Sequence, residues 1–174
     1  MPKVILIGPP GAGKSSVGKA LGQRLSTSFA DTDLLIENES GLGVSEIFLD
    51  KGEPFFRELE REVVLRELAD FDGVLALGGG AVMNVDVESA LRLSPDPICF
   101  LDVSLSSAAP RIGFNRDRPL LVGNPRAKWQ ELMNIRRPIY ESLATLTVST
   151  DSGTPSQIAQ EVADILSKAK EVNS

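Results

Sequence analysis

Residues 8–15 read Gly8-Pro9-Pro10-Gly11-Ala12-Gly13-Lys14-Ser15, and this stretch decides the fold of the chain. An apolar run at residues 4–7 precedes it, and apolar residues follow at helical spacing, at Val17, Ala20, Leu21 and Leu25. A buried strand, a glycine-rich turn and an amphipathic helix in this order are typical of a phosphate-binding loop. The alternative is an ordinary glycine-rich turn between a strand and a helix, but the full pattern G-x-x-x-x-G-K-[ST] favours the phosphate-binding loop.

The residue types of this loop suit a nucleotide. Glycines let the backbone turn sharply and present its N–H groups to an anion, and the following helix adds the positive end of its dipole. Lys14 can reach the outer phosphates as a point charge, and the Ser15 hydroxyl is a suitable Mg²⁺ ligand. We therefore predict that nucleotide phosphates bind to Gly11, Ala12, Gly13, Lys14, Ser15 and Ser16.

Length and composition narrow the class of protein. A chain of 174 residues is expected to form a single domain over 1–174, and its apolar and charged fractions are ordinary for a globular protein. The net charge of −6 argues against a nucleic-acid surface. No apolar run approaches the ~18 residues needed to cross a membrane. The apolar run after Lys3 is too short for a signal peptide, which favours a cytoplasmic location.

Two residue types limit the chemistry. Cys99 is the only cysteine, so an internal disulfide is impossible, and its apolar neighbours predict a buried and inert thiol. There is no histidine, so a general base would be a carboxylate, a lysine or the substrate itself.

Positive charge is concentrated between residues 111 and 137 of an otherwise acidic chain. Only Asp117 and Glu131 oppose the basic residues there, which are Arg111, Arg116, Arg118, Arg126, Lys128, Arg136 and Arg137. This distribution indicates either a small polyanion as the partner or a solvated helix face. The arginine-rich segment 111–121 also interrupts the strand–helix pattern, and we expect either a loop that covers bound phosphates or a disordered basic loop.

Short apolar strands alternate with helices along the whole chain, without an internal repeat. The predicted strands are residues 3–7, 28–30, 74–77, 98–103 and 146–149. The helices are predicted to begin near Lys14, Asp33, Val44, Pro54, Val87, Leu105, Pro125 and Thr154. This alternation predicts an α/β fold with a parallel sheet and helices on both faces, in which ligands bind beyond the carboxyl ends of the strands.

Two carboxylates follow the second predicted strand. Asp31 and Asp33 are two residues apart, so in an extended chain they face the same side. One interpretation is that Asp33 only caps a helix that begins at Leu34. The other is that one acid holds Mg²⁺ through water while the other accepts a proton from an attacking hydroxyl.

Two arginines and a run of glycines are further candidates for an anion site. Arg57 precedes Glu60 by three residues, which predicts either a surface ion pair or an arginine that Glu60 orients toward an anion. Arg136 falls on an apolar helix face, either in a structural salt bridge or as a second anion-binding fork. Gly78-Gly79-Gly80 follows the third strand and indicates a tight turn or a close approach of a ligand to backbone N–H groups.

Taken together, these residues resemble the shikimate kinase family. The resemblance runs from about residue 3 to about residue 166. The motifs that carry it are GPPGAGKSSVGKALG (8–22), DTD (31–33), GEPFFRELE (52–60), LGGGAV (77–82), RDRPLL (116–121) and RRPIY (136–140). The phosphate-binding loop alone indicates only a P-loop kinase or NTPase. The order and spacing of the other motifs narrow the resemblance to this family.

The resemblance implies a fold and an activity. The fold is a P-loop NTPase fold of the nucleoside-monophosphate-kinase type, with a parallel sheet of five strands in the order 2-3-1-4-5. The activity is the transfer of phosphate from ATP, with Mg²⁺, to the 3-hydroxyl of shikimate, giving shikimate 3-phosphate on the route to chorismate and the aromatic amino acids. A shikimate-binding region at about residues 31–62 and a lid at about residues 111–124 are also implied.

The same resemblance implies roles at the ATP end of the site. Lys14 is a catalytic residue at the phosphates, Ser15 binds the metal, and Asp31 holds the metal through water. Arg118 is the catalytic arginine of the lid over the phosphates, and Arg111 lies where the family stacks on adenine.

At the acceptor end, the resemblance implies that Asp33 binds the substrate hydroxyls and is the candidate base. The other implied shikimate-binding residues are Arg57, Arg136, Gly78, Gly79 and Gly80, with the two arginines on the carboxylate of shikimate. The expected partners are therefore shikimate and ATP, without nucleic acid or membrane, and the expected state is a monomer.

The chain departs from the family in the loop 149–155, where some members have an arginine and this chain has none. Ser149 also stands where a strand-end aspartate is common. We therefore expect ATP selectivity to depend on Arg111 and on backbone contacts. Two rival interpretations stay open: a related kinase that acts on gluconate, and a nucleotide-binding regulatory module that has lost phosphate transfer.

Overall fold

The structure is a computed structural model that describes residues 2–112 and 123–174. Within these residues the chain forms a sheet of five parallel strands in the order β2-β3-β1-β4-β5. The strands are β1 (Val4–Ile7), β2 (Ser28–Asp31), β3 (Gly73–Ala76), β4 (Ile98–Asp102) and β5 (Leu146–Ser149). The predicted fold class and strand order are confirmed, and each strand end lies within one residue of its predicted position.

Helices cover the sheet in the described part of the chain. They are α1 (Lys14–Arg24), α2 (Thr32–Ser40), α3 (Val44–Lys51), α4 (Glu53–Asp70), α5 (Val85–Leu93), α6 (Leu105–Ile112), α7 (Pro125–Leu143) and α8 (Pro155–Val172). α1 packs against α8, whereas α5 packs against both α4 and α7. Crossover connections between parallel strands are right-handed, so connections that run in opposite directions across the sheet place their helices on opposite faces. The pair α1 and α8 therefore covers one face, and the group α4, α5 and α7 covers the other.

The main core lies on both sides of the central strands. Every residue of β1 and β3 is buried, and the residues of β1 are 0–1% exposed. Continuous apolar runs such as Val4–Ile7 are typical of parallel strands that are covered on both faces. Cys99 lies fully buried in β4, and burial raises the pKa of its thiol to about 12, as expected for an inert thiol.

A second cluster of buried residues joins α2, α3 and α4 and consists of Ile36, Ile47, Phe56 and Val63. The ring of Phe48 packs on that of Phe56 with centroids 4.9 Å apart. Three of these four residues lie within the segment predicted to bind the acceptor, residues 31–62, and Val63 follows it directly. The cluster holds α2 and α4 together, so side chains on the two helices keep a fixed separation.

The sequence explains where two of the helices begin. Thr154 and Gln157 form a reciprocal capping pair, with Gln157 N–H donating to Thr154 Oγ1 at 3.2 Å and Thr154 N–H donating to Gln157 Oε1 at 2.8 Å. Helix α8 therefore begins at Pro155, one residue after the predicted start. Asn124 caps α7 by accepting from the Ala127 N–H at 3.2 Å.

Within residues 2–112 and 123–174, none of the helices combines the length and the apolar character that a bilayer-spanning helix requires.

Candidate active site

A cavity of about 470 Å³ lies at the carboxyl edge of the sheet, where the central strands end. The phosphate-binding loop after β1 forms one wall through residues 10–17, and Asp31 and Asp33 after β2 form another. Gly79 after β3 and Arg111 at the end of α6 also line it. Residues predicted at the ends of three separate strands therefore share one cavity.

The phosphate-binding loop wraps around the ammonium group of Lys14. Lys14 Nζ donates to the carbonyl oxygens of Gly8, at 2.7 Å, and Pro9, at 3.0 Å. Gly13 has a φ of 84°, which turns the chain into α1, and its carbonyl accepts from the Val17 N–H at 2.9 Å. The N-terminus of α1, where Lys14 lies, therefore lines the cavity, as an anion site requires.

Asp31 connects this loop to α2. One carboxylate oxygen, Oδ2, accepts a hydrogen bond from the Ser15 hydroxyl, and the other, Oδ1, accepts from the N–H groups of Asp33, at 2.9 Å, and Leu34, at 3.3 Å. Helix α2 begins at Thr32, so Asp31 is the capping residue. The interpretation of Asp33 as the helix cap is therefore wrong, because Asp33 already lies in the first turn, and its side chain lines the cavity instead.

The glycine run 78–80, called the glycine loop below, is in close contact with four charged side chains. A methyl group at Gly78 would lie 2.6 Å from Asp33 Oδ1 and 2.8 Å from Glu60 Oε2. A methyl group at Gly80 would lie 2.6 Å from Arg57 Nη1 and 2.9 Å from Arg136 Nη2. The loop therefore has an acidic end at Gly78 and a basic end at Gly80. A tight turn alone does not explain why side chains are excluded at both ends.

Arg57 is held between two carboxylates of α4. Its Nη1 lies 2.7 Å from Glu60 Oε1, and its Nε lies 3.4 Å from Glu53 Oε1. Glu60 is only 3% exposed, so the interpretation of this pair as a surface ion pair is wrong. Burial raises the pKa of the Glu60 carboxyl above its ordinary value, and Arg57 and Arg136 oppose that shift. Both Nη1 and Nη2 of Arg57 lie close to Gly80, at the basic end of the glycine loop.

Arg136 is a buried cation at the same end of the loop. It is 5% exposed, and its Nη1 would lie 3.3 Å from a methyl group at Gly79. Within residues 2–112 and 123–174 no carboxylate forms an ion pair with it at 4 Å or less, so a structural salt bridge to this part of the chain is not what keeps Arg136 there. A buried guanidinium that no carboxylate in the described part of the chain compensates favours an anionic ligand.

Arg111 lies at the nucleotide end of the cavity. Its Nη1 donates to Gly11 O at 3.1 Å and to Thr150 Oγ1 at 3.2 Å, and its Nη2 donates to Thr150 O. Gly153 and Pro155 line the cavity beside it. The loop 149–155 is thus attached to the phosphate-binding loop through an arginine of α6, although it contains no arginine of its own.

Two other residues of the basic stretch 111–137 pair with carboxylates. Arg137 forms a two-bond pair with Asp102, at 2.7 and 3.0 Å, and Lys128 lies 3.3 Å from Glu131. Their side chains are 37% exposed for Arg137 and 41% exposed for Lys128, which favours the solvated helix face for these two residues. Arg118, and most of the predicted lid at 111–124, lie outside the described residues, so the prediction for Arg118 stays a prediction.

Three contacts of the site were not predicted. The Gly78 N–H donates to Thr32 Oγ1 at 3.1 Å, and the Tyr140 hydroxyl donates to Gly79 O at 2.6 Å. Trp129 Nε1–H donates to Pro10 O, in the phosphate-binding loop, at 2.8 Å. The sequence places Trp129 and Tyr140 on the apolar face of α7, and the polar end of a buried aromatic residue needs a partner. The sequence does not say which partner that is.

Comparison with known proteins identifies one family. The family model for shikimate kinase matches residues 10–167. The chain is 49% identical over 168 residues to a shikimate kinase of Thermobifida fusca, which covers 97% of this chain and 96% of that protein. It is also 49% identical over 165 residues to a shikimate kinase of Salinispora arenicola, which covers 95% of this chain and 98% of that protein.

Solved structures agree with this result. Shikimate kinase from Acinetobacter baumannii in complex with shikimate superimposes with a TM-score of 0.93 at 33% identity, covering 98% of this chain and 95% of that one. A gluconokinase from Sinorhizobium meliloti superimposes with a TM-score of 0.61 at 19% identity, covering 97% of this chain and 93% of that one. At that identity the second likeness shows a shared fold alone.

The sheet order, the phosphate-binding loop and the charged cavity beside it define a P-loop kinase. Within that class the family match and the high-coverage relatives are specific, and the chain belongs to the shikimate kinase family. The resemblance found in the sequence is confirmed.

The two carboxylates on Arg57 allow a matched test of its environment. We expect Glu60→Gln to lower the free energy of unfolding by about 2 kcal/mol, because it removes the buried partner of a mostly buried charge. Glu53→Gln removes the exposed partner, and we expect a loss below about 1 kcal/mol. Urea unfolding of the two variants and the wild type measures both values. Equal losses would show that burial does not distinguish the two pairs.

Proposed function

We propose that the protein phosphorylates the 3-hydroxyl of shikimate with ATP, giving shikimate 3-phosphate for chorismate and aromatic amino-acid biosynthesis. The observation that carries the proposal is the glycine loop, which has two carboxylates at one end and two guanidinium groups at the other, next to a phosphate-binding loop. A small acid with several hydroxyls matches that polarity. A family member 33% identical to this chain was solved in complex with shikimate, which supports the same acceptor here.

At the ATP end, the loop residues 11–16 would bind the phosphates through backbone N–H groups and the Lys14 ammonium. Arg111 would lie against the adenine side, since it joins Gly11 to the loop 149–155. Arg118 would lie over the phosphates from the lid, a role that comes from the sequence resemblance alone. Phosphate transfer then needs in-line positioning and neutralisation of charge more than covalent help from the protein.

The residues at the phosphate-binding loop also fit Mg²⁺. Ser15 Oγ and Asp31 Oδ2 are in direct contact and both residues line the cavity, so a hydroxyl and a carboxylate are available together. Mg²⁺ prefers oxygen ligands and usually combines one or two protein groups with waters and substrate phosphates. We propose that Ser15 would bind the ion and that Asp31 would hold it through water. When bound, the ion would neutralise charge on the phosphates.

At the acceptor end, Arg57 and Arg136 would bind the shikimate carboxylate at the Gly80 end of the loop, as charge-assisted pairs. Asp33, at the Gly78 end, would orient the hydroxyl and accept its proton. The region 31–62, with its own buried cluster, would carry this part of the site as one unit within the single domain. The cytoplasmic location and the monomeric state stay predictions from the sequence.

An assay of ADP release tests the function directly. The full chain is assayed with ATP and Mg²⁺ and with shikimate, gluconate or no acceptor. We expect ADP release that depends on shikimate, because two guanidinium groups and two carboxylates are spaced along the glycine loop for a compact hydroxy acid. Turnover on gluconate alone would replace the proposed substrate, and nucleotide binding without turnover would favour the regulatory module.

Neighbouring arginines of α7 provide a matched pair for the acceptor site. We expect Arg136→Ala to raise KM for shikimate by about 30- to 1,000-fold, since a buried charge-assisted fork contributes about 2–4 kcal/mol. Arg137→Ala removes the same side chain from a pair with Asp102 and should leave KM for shikimate within about twofold. KM for ATP is measured in parallel. Similar KM values for the two variants would place the carboxylate elsewhere.

The carboxylate of Asp33 is tested by an isosteric change. We expect Asp33→Asn to lower kcat by about 10²- to 10⁴-fold, the range for loss of a general base, with KM for ATP unchanged. The control is the same substitution at the exposed Asp50 of α3, which should preserve kcat. A kcat near the wild-type value in Asp33→Asn would remove Asp33 from the reaction.

A further inference from the structure

The glycine loop is held by hydrogen bonds that use most of its own backbone. Of its six backbone polar groups, four are bonded within the protein: the Gly78 N–H to Thr32, the Gly78 carbonyl to Ala81 N–H, the Gly79 carbonyl to Tyr140 and the Gly80 carbonyl to Met83 N–H. In the described part of the chain, the N–H groups of Gly79 and Gly80 have no acceptor. These two N–H groups are therefore the donors that the loop can offer to a ligand.

Thr32 holds the acidic end of the loop. It is fully buried, and its hydroxyl accepts the Gly78 N–H at 3.1 Å. Thr32 is also the first residue of α2, directly before Asp33, whose Oδ1 would lie 2.6 Å from a methyl group at Gly78. This hydrogen bond thus joins the glycine loop to the helix that carries the proposed acceptor carboxylate.

Tyr140 holds the middle of the loop from the other side. It is fully buried, its ring stacks on that of Phe100 with centroids 5.1 Å apart, and its hydroxyl donates to Gly79 O at 2.6 Å. It follows Arg136 by one helical turn on α7, so the helix that carries the buried guanidinium also fixes the loop. Burial raises the pKa of Tyr140 to about 12, so the hydroxyl stays a donor at working pH.

We infer that Thr32 and Tyr140 are positioning residues of the acceptor site, which hold the glycine loop from two sides so that the Gly79 and Gly80 N–H groups stay directed at shikimate. Both residues are fully buried, so their hydroxyls are assigned to the loop and not to direct contact with the substrate. Each hydroxyl joins the loop to an element that carries a substrate-binding side chain, Asp33 on α2 and Arg136 on α7. The inference rests on the proposed function.

The test removes each hydroxyl with the least change in shape. The variants are Thr32→Val and Tyr140→Phe, with Thr32→Ser as the conservative variant that keeps a hydroxyl. We expect the first two to raise KM for shikimate by about tenfold, because a lost buried hydrogen bond lets the loop move away from its substrate. KM for ATP should stay within about twofold, and Thr32→Ser should restore KM for shikimate to near the wild-type value.

Thr145→Val is the matched control. Thr145 Oγ1 accepts from the Ile98 N–H at 2.9 Å and donates to Ile98 O at 3.1 Å, at the first residue of β4 and thus at the opposite edge of the sheet. Loss of this hydroxyl should lower Tm without a change in either KM. It therefore shows what loss of a purely structural hydroxyl–backbone contact does.

The outcomes separate the inference from the function on which it rests. A KM for shikimate within about twofold of wild type in both Thr32→Val and Tyr140→Phe overturns the inference, as does a parallel rise in both KM values with a fall in Tm. If Tyr140→Phe does not fold, Thr32→Val against Thr32→Ser decides. Absence of shikimate-dependent turnover in the wild type contradicts the proposed function instead.

Discussion

The parallel pairing of β1, β2 and β3 is the constraint on which the whole site depends. In the register of the sheet, Ala76 of β3 pairs with Leu6 of β1 on one side and with Asp31 of β2 on the other. The three strands therefore end close together along the carboxyl edge of the sheet. The phosphate-binding loop follows β1, the acids lie at the end of β2, and the glycine loop follows β3. A slip of one residue would turn every side chain of a strand to the other face. The strand register thus sets where the phosphate-binding loop, the acids and the glycine loop meet.

Negative and positive charge are separated along the glycine loop. Absence of a side chain at Gly78 leaves room for Asp33 and Glu60, and absence of one at Gly80 leaves room for two guanidinium groups. Glu60 forms an ion pair with Nη1 of Arg57, whereas Arg136 makes no ion pair within the described residues. Buried charges are costly unless they are compensated. The basic end of the loop is therefore the place where a carboxylate would compensate buried charge most.

Helix α7 supports both ends of the site at once. Near its start, Trp129 donates to Pro10 in the phosphate-binding loop, and three turns later Tyr140 donates to Gly79 in the glycine loop. The two loops also approach each other directly, since a methyl group at Gly79 would lie 3.2 Å from Pro10 Cδ. One helix in contact with both loops therefore helps to fix the distance between the phosphate-binding loop and the glycine loop. In-line transfer of a phosphoryl group depends on that distance.

The sequence by itself determined the class of this protein. Patterns of neighbouring residues, such as the glycines and Lys14 between a strand and a helix, predict local structure and phosphate binding, because they act within a few residues of one another. The strand positions, the phosphate-binding loop and the candidates Asp33, Arg57 and Arg136 were all predicted in this way. The sequence could not decide between a capping and a cavity role for Asp33, or between a surface pair and a buried pair for Arg57.

Only the tertiary structure decided which partners meet. Asp31 caps α2 and touches Ser15, Glu60 is buried against Arg57, and Tyr140 reaches Gly79 across 61 positions of sequence. Such contacts depend on how helices pack on the sheet, and sequence spacing carries no information on distances between separate elements. The same is true of the loop 149–155, which Arg111 of α6 joins to the phosphate-binding loop. Local chemistry was readable from the chain, whereas the direction of each side chain was set by packing.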